Sequence, residues 1–253
     1  MTRRVLVFAY GVLSYLTFFA TFLYAFGFVT NRLVPRSIDG PSSTSTALAL
    51  AIDGALLALF ALQHSVMARR WFKDWLTRRV PPLAERPTYV LASSLALILL
   101  FAAWQPRGGA VWQAQDTFLR AALEALGVAG WLMVLGTTFL INHFDLFGLR
   151  HAWLALRGLP YTPLRFGTPG PYKLVRHPLY VGWLVAFWAT PDMSAGRLLF
   201  AALCTGYILV AIQLEESDLA REHGERYARY REQVGMLFPR LLRRARPALA
   251  TQA

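Results

Sequence analysis

The stretch VLVFAYGVLSYLTFFATFLYAFGFV, residues Val5–Val29, decides the fold class of this chain. It contains no charged side chain, and it is longer than the roughly 20 helical residues that cross the hydrocarbon layer of a bilayer. A removable signal peptide has a shorter apolar region, of about 7 to 15 residues, and a small-residue cleavage site. This run therefore predicts a membrane-spanning helix that stays in the protein.

Five further apolar runs follow in a chain of 253 residues that is 56% hydrophobic and only 16% charged. They cover Ala47–Val66, Tyr89–Trp104, Ala121–Ile141, Leu179–Ala189 and Leu198–Leu214. The fifth run is short, and Pro191–Gly196 joins it tightly to the sixth, which favours a hairpin that barely crosses the membrane. We predict an all-α polytopic membrane protein with five or six transmembrane helices and a cytoplasmic C-terminal helix.

The formal net charge of +12 is distributed unevenly between these runs. With six crossings, the N-terminus, 67–88, 142–178 and the tail after 214 share one side and hold all but five of the 26 Lys and Arg residues. The other five are Arg32, Arg36, Arg107, Arg120 and Arg197. This bias follows the positive-inside rule and predicts both termini in the cytoplasm, with the chain in the inner (cytoplasmic) membrane. It explains the basic charge without nucleic acid, and the Arg243–Arg246 tail is expected at anionic headgroups.

The remaining composition excludes several kinds of site. Cys204 is the single cysteine, so no intramolecular disulfide forms, and its apolar neighbours indicate packing rather than a reactive thiol. Gly167–Tyr172 lacks the glycine spacing of a phosphate-binding loop and predicts a stiff turn. No residues have zinc-like ligand spacing. We expect no metal and no obligatory protein partner.

The segment Arg176-His177-Pro178-Leu179-Tyr180-Val181-Gly182 opens the fifth run. Pro178 suits the first turn of a helix, so Arg176 and His177 lie at a positively polarised helix start that favours anions. Arg176 is a candidate for binding a ligand carboxylate bidentately, and His177 for a hydrogen bond or a base. The alternative is a juxtamembrane Arg and a His that caps the backbone.

Beyond the sixth run, polar and aromatic residues recur at helical spacing. Adjacent carboxylates, Glu215 and Glu216, end the run, and the stripe continues through Leu219, His223, Tyr227 and Tyr230. Such a stripe suits a cationic nucleoside ligand through cation–π attraction and stacking. An amphipathic helix whose tyrosines lie at headgroup level is the alternative.

The order and spacing of these elements resemble a known superfamily. The shared elements are Gly170-Pro171-Tyr172, Arg176-His177-Pro178 with Tyr180 and Gly182, Glu215-Glu216, Gly224, Tyr227, Tyr230 and Pro239. Together they resemble the C-terminal core of integral-membrane methyltransferases of the isoprenylcysteine carboxyl methyltransferase and phospholipid methyltransferase superfamily. The resemblance covers about 165–240 and implies an S-adenosylmethionine site near the cytoplasmic face. It implies that this site contains Tyr172, Arg176, His177, Pro178, Tyr180, Gly182, Glu215, Glu216, Tyr227 and Tyr230.

The N-terminal half narrows the resemblance. Gln63-His64-Ser65, Glu85-Arg86-Pro87-Thr88-Tyr89 and Asn142-His143-Phe144-Asp145-Leu146-Phe147-Gly148 are similar to elements shared by methanethiol S-methyltransferases and NnrU-type membrane proteins. The resemblance then extends from about residue 5 to residue 240. It implies methyl transfer from S-adenosylmethionine to methanethiol, giving dimethyl sulfide.

Thiols attack as thiolates, so this reaction needs a base or a positive potential. His64 and His143 lie at the ends of the second and fourth runs, on the side of His177. We hypothesise that one of them assists deprotonation of the thiol and that Asp145 orients it. Each histidine taken alone is also explained as a hydrogen-bonded structural residue. Glu85 and Arg86 form either an ion pair at the cytoplasmic mouth or a surface pair of little value.

Alternatives from other classes stay open at this point. Asp53 and Glu124 lie within spans and are explained either as site residues or as polar contacts between helices. A prenylcysteine or lipid acceptor would need a lateral opening to the bilayer. A non-enzymatic NnrU-like or haem-associated membrane protein would use His64, His143, His151 or His177. We divide the single domain into N-terminal helices and acceptor side (1–164), donor-binding core (165–240) and basic tail (241–253).

Overall fold

A computed structural model describes residues 1–41, 44–164 and 166–240. In chain order its helices are α1 (Thr2–Thr30), α2 (Thr46–Ala68), α3 (Arg70–Leu76), α4 (Glu85–Ala103), α5 (Thr117–Ile141), α6 (His143–Leu146), α7 (Leu149–Arg157), α8 (Pro178–Trp188), α9 (Ala195–His223) and α10 (Glu225–Gln233). Short 3-10 turns cover Pro82–Ala84 and Gly170–Lys173. The basic tail predicted at 243–246 lies outside the described residues.

Five of these helices are long and apolar enough to cross a membrane: α1, α2, α4 with its preceding turn, α5 and α9. Large hydrophobic side chains such as Leu16, Leu62 and Leu132 are exposed on their outer faces, as expected where lipid is the solvent. The helices confirm the predicted polytopic all-α membrane fold. The predicted apolar runs correspond to them, with ends that differ by a few residues except at α9, which continues to His223.

The fifth apolar run forms a helix that is too short to span a bilayer by itself. Helix α8 has 11 residues and at about 1.5 Å per residue covers roughly half of the hydrocarbon layer. It packs closely along α5 through glycines: a Cβ on Gly130 would lie 2.6 Å from the backbone nitrogen of Ala186. A Cβ on Gly182 would lie 3.0 Å from the backbone nitrogen of Val134. The structure therefore gives Gly182, which the resemblance implied for ligand binding, a helix-packing role.

A two-stranded antiparallel sheet, not anticipated from the sequence, lies at one end of the bundle. Strand β1 (Ala110–Gln113) pairs with β2 (Asp192–Ser194), which links α8 to α9. Arg120 binds both carboxylate oxygens of Asp192, at 2.9 and 2.7 Å. These contacts fix the return of the chain from the short helix into the long one.

The core between the spans is rich in aromatic side chains, including Phe28, Trp104, Trp131 and Phe200, and Cys204 packs against it as expected. Both acidic residues within predicted spans make contacts between segments. The buried Asp53 accepts a hydrogen bond from the backbone N–H of Gln105 at 2.8 Å. Glu124 pairs with Arg32 at 3.0 Å. Each contact joins a helix to a segment just beyond the end of another helix, at Gln105 after α4 and at Arg32 after α1.

Candidate active site

Arg176 lies just before α8, and nearly all of its polar hydrogens are used inside the protein. The side chain is 7% exposed. Its Nε donates to Glu216 Oε1 at 2.7 Å, and its terminal nitrogens reach the same oxygen at 2.6 Å and the backbone carbonyl of Val234 at 2.6 Å. Arg176 therefore joins the start of α8 to the ends of α9 and α10. Its carboxylate partner in this structure is Glu216.

Glu216 is the centre of this ionic cluster, which we define as Arg176, His177 and Glu216. His177 Nε2 lies 3.0 Å from Glu216 Oε1, and Arg231 Nε lies 3.5 Å from the other carboxylate oxygen. Both Glu216 and His177 are buried. A buried carboxylate is stable only when cations and hydrogen bonds compensate its desolvation, and here three side chains do so.

The backbone around this cluster is fixed by a segment that the sequence analysis did not single out. The N–H groups of Arg176 and His177 donate to the carbonyls of Gly235 and Met236 at 2.8 and 3.2 Å. A Cβ on Gly235 would overlap the carbonyl of Phe238, so this position needs glycine. Pro178 follows at the first position of α8, as predicted, where its missing N–H costs nothing.

Glu215 differs from its neighbour because its side chain is 46% exposed. One carboxylate oxygen lies 3.9 Å from His177 Nδ1. The carboxylate also interacts electrostatically with the hydroxyls of Tyr180 and Tyr172. Burial, with Glu215 as a further cause, raises the pKa of Tyr172, so this phenol stays neutral at physiological pH. Glu215 is thus an accessible anion beside two phenols.

The predicted tyrosine stripe does not continue on one helix. Gly224 has φ +50°, a left-handed conformation that favours glycine, and it separates α9 from α10. Tyr227 is buried beyond the break, and the hydroxyl of Tyr230 donates to the carbonyl of Tyr172 at 2.6 Å. Burial raises the pKa of both tyrosines to about 12. Phe166 packs edge-on against both rings and forms an aromatic wall with them.

His64, near the end of α2, belongs to a second polar group. The hydroxyl of Tyr89 lies 2.7 Å from His64 Nε2, and Ser93 Oγ lies 3.1 Å from Nδ1. The next residue, Ser65, contacts the hydroxyl of Tyr207 on α9 at 3.3 Å. Two hydroxyl groups therefore lie within hydrogen-bond distance of this imidazole, and the ring of Phe60 stacks on it at 5.2 Å.

The hydroxyl of Tyr180 is a hydrogen-bond partner of Glu215. Besides Glu215, its hydroxyl interacts electrostatically with those of Tyr207 and Tyr89. Tyr180 is thus the residue through which the electrostatics of the Glu215 side and of the Tyr89 side are linked.

His143 has a self-contained environment. Thr138 Oγ1 donates its only proton to the carbonyl of Leu135 at 2.6 Å, so the 2.7 Å contact with His143 has the imidazole Nδ1–H as donor. His143 Nε2 then accepts from the hydroxyl of Tyr15 at 2.9 Å. Burial lowers the pKa of His143, and the ring of Phe139 stacks on it at 4.1 Å. This is a satisfied, neutral histidine.

One hypothesised pairing differs from the observed contacts. Asp145 does not orient His143: its carboxylate accepts from Arg150 at 2.7 Å and from Tyr161 at 3.1 Å. Residues two apart in the short helix α6 point in different directions, so 143 and 145 cannot share a face.

Arg86 has other partners than Glu85. Its Nε donates to the carbonyl of Leu146 at 2.7 Å, and its guanidinium lies over the ring of Tyr89.

The two candidate bases do not meet. Phe18 and Phe147 stack at 3.6 Å, and both pack beside His143 and against the cluster that contains Tyr89. Of the two, His64 is the one whose neighbours in α2, Ser65 and Phe60, contact Tyr207 of α9. Among the described residues, no group of three or more His, Cys, Asp or Glu side chains is placed to hold a metal ion.

The fold and these contacts define a polytopic membrane protein with an ionic cluster and, on the neighbouring helices, a histidine that contacts hydroxyl groups. Comparison with known proteins gives the family. The chain is 53% identical over 236 residues to a methanethiol S-methyltransferase of Crocosphaera subtropica, covering 93% of this chain and 92% of the relative. It is 50% identical over 237 residues to one of Mycobacterium tuberculosis, covering 94% and 97%.

The chain therefore belongs to the methanethiol S-methyltransferase family, as the resemblance indicated. A more distant relative is nurim of Sus scrofa, 34% identical over 184 residues, with 69% of this chain and 70% of the relative covered. No family model matches the chain. No solved structure matches it either.

Proposed function

We propose that this protein transfers a methyl group from S-adenosylmethionine to methanethiol, giving dimethyl sulfide. The observation that carries the proposal is about 50% identity, over more than nine-tenths of the chain, to relatives named for methylation of methanethiol. The accessible carboxylate beside the ionic cluster supports a cationic methyl donor.

The residues present fit such a donor. S-adenosylmethionine carries a sulfonium, an ammonium group and an adenine ring. Glu215 is an accessible carboxylate that attracts either cation. The wall of Phe166 and Tyr230 offers ring faces for adenine. We assign Arg176 and Glu216 to positioning: they hold His177 and the start of α8 against α9 and α10.

The reaction forms a bond between the thiol sulfur and the methyl carbon while the carbon–sulfur bond of the sulfonium breaks. The products are dimethyl sulfide and S-adenosylhomocysteine, and the thiol proton must be accepted by a base. We assign this step to His64, because Tyr89 and Ser93 are within hydrogen-bond distance of its ring and can pass the proton onward. His143 and Asp145 then support the site through packing and charge pairing.

The distribution of Lys and Arg also indicates which side of the membrane the site faces. The ends of the spans that carry His64, His177 and Glu215 adjoin the Lys- and Arg-rich segments. By the positive-inside rule we propose that this end, and both termini, face the cytoplasm, where the donor is made available. The membrane is then the inner (cytoplasmic) membrane.

Headspace gas chromatography with mass detection tests the proposal on protein purified in detergent. The protein receives methanethiol and S-adenosylmethionine with a deuterated methyl group. We expect dimethyl sulfide with one deuterated methyl group from the wild type. Glu215→Gln should lower its formation about tenfold or more, because charge-assisted contacts contribute roughly 1.5–3 kcal/mol. Glu222→Gln, at an exposed carboxylate on the same helix, is the matched control and should act as the wild type.

Two further outcomes of the experiment distinguish the alternative functions. Donor binding without methylation of methanethiol would contradict the acceptor and favour a lipid or prenylated one. Absence of donor binding together with a Soret band in the purified protein would contradict the enzyme and favour a haem-associated role. For the base, His64→Gln should abolish most turnover. His143→Gln should lower protein stability more than it lowers turnover per folded molecule.

A further inference from the structure

An apolar groove of about 390 Å³ lies on the outside of the bundle, where α1 begins. Side chains of the first turns of α1 line one wall, and side chains from the segment 80–88 line the other. Along α1 the groove extends from Arg3 to Tyr10, which is roughly 10 Å of helix. Because the apolar run of α1 starts at Val5, the groove enters the hydrocarbon layer from its boundary and stays within one leaflet, about 15 Å thick.

The floor of the groove is apolar. Val7 and Ala84 are buried there in a small hydrophobic cluster. At the inner end, the hydroxyl of Tyr10 donates to Thr88 Oγ1 at 3.1 Å, and Thr88 Oγ1 donates to the carbonyl of Ala84 at 2.8 Å. Both hydroxyl protons are therefore used inside the protein. This part of the groove suits a hydrocarbon chain, because a polar ligand would lose its hydration without gaining a donor.

The outer end of the groove is cationic. Arg3 is exposed at the boundary, and its guanidinium has no hydrogen-bond or carboxylate partner among the described residues. Arg78 and Arg79 are also exposed, and they directly precede the segment that lines the groove. The first ten residues of the chain and the nine residues before Glu85 contain four Arg residues and no Asp or Glu, and Glu85 itself does not line the groove. This end of the groove therefore attracts an anion.

We propose that this groove binds one anionic phospholipid, with its phosphate at the guanidinium of Arg3 and one acyl chain along the apolar floor. A guanidinium binds a phosphate through charge-assisted hydrogen bonds, and basic residues next to a membrane span attract anionic lipids. A second copy of this chain fits the groove less well, because a two-fold contact here would bring the arginines of both copies together. The site does not depend on the methyl-transfer reaction, so its test is separate from that of the proposed function.

Native mass spectrometry of the full-length protein in detergent tests the charged end of the site. The probes are phosphatidylglycerol and phosphatidylcholine with identical acyl chains. We expect one phosphatidylglycerol to bind saturably and about fivefold more tightly than phosphatidylcholine, the factor that one arginine near an anionic headgroup contributes. Arg3→Gln should remove this preference. Arg229→Gln, at an exposed arginine of α10 that does not line the groove, is the matched control and should retain it.

The apolar part of the site is tested by Leu6→Trp. Leu6 lines the groove and is 64% exposed, so a larger side chain fills the groove without disturbing the core. This change should weaken the binding of both lipids about tenfold. Leu16→Trp, at a 57% exposed leucine of the same helix that does not line the groove, is the control and should leave binding unchanged.

Equal affinity for the two lipids, or equal effects of Arg3→Gln and Arg229→Gln, would overturn the proposal. Glycerol phosphate that binds as tightly as the lipid would assign Arg3 to a soluble phosphate. A protein dimer that Leu6→Trp disrupts would assign the groove to a second copy of the chain. Either of these two results would also overturn a phospholipid as the occupant.

Discussion

Two buried polar regions compensate for the loss of hydration in different ways. The ionic cluster of Arg176, His177 and Glu216 places full charges out of contact with water and joins three helices. The neutral network of Tyr15, His143 and Thr138 uses uncharged donors and acceptors between α1, α6 and α5. In the first region each charge depends on its partner. In the second region the loss of one hydrogen bond leaves no charge without a partner, so it lowers stability less.

The largest expected effect is that of removing the central charge. Glu216→Gln leaves the buried guanidinium of Arg176 without its partner, and breaking a buried pair in this way costs about 3–5 kcal/mol. We expect a large fall in the midpoint of thermal unfolding in detergent and loss of methyltransferase activity. Glu222→Gln is the matched control. A Glu216→Gln protein as stable as the control would show that the cluster is not the structural centre described here.

The neutral network should respond less. Tyr15→Phe leaves Nε2 of the buried His143 without a donor, a loss of about 1–3 kcal/mol. Tyr24→Phe removes an exposed hydroxyl bond from the same helix and should change stability by less than about 0.5 kcal/mol. Unfolding midpoints of the two variants give the comparison. If Tyr15→Phe cost as much as Glu216→Gln, the distinction between the two regions would fail.

Acid should lower the stability of the protein by protonating two buried histidines that are neutral at pH 7, His143 and His151. Burial lowers the pKa of His143, and it lowers that of His151 to about 4 although Asp145 acts in the opposite direction. A histidine with a lowered folded pKa contributes stability above its unfolded value, near 6.5, and loses it as the pH falls toward the folded value. We expect the unfolding midpoint to fall between about pH 6.5 and 4, measured by a pH series of melts. His151→Gln should flatten this dependence, and an unchanged slope would contradict the assignment.

The smallest expected effect on stability is at Glu215, the neighbour of the central carboxylate. Its side chain is 46% exposed, so Glu215→Gln should change the free energy of unfolding by no more than about 0.5 kcal/mol. The same variant should raise the KM for S-adenosylmethionine, measured by initial rates. A stability loss comparable to that of Glu216→Gln would instead make Glu215 a structural residue.

Sequence by itself determined the spans. Hydrocarbon excludes charges and backbone N–H and C=O groups that have no partner, so a helix is the stable arrangement of an apolar run such as Val5–Val29. The sequence also determined the family, since Arg176-His177-Pro178 and Glu215-Glu216 have distinctive spacing. Only the tertiary structure decided the partners: that Glu216 meets Arg176, and that Asp145 pairs with Arg150. It also placed Gly182 against α5 and brought β1 to β2. Apolar periodicity is local, whereas each of these contacts depends on the path of a loop or on the closeness of two helices distant in sequence.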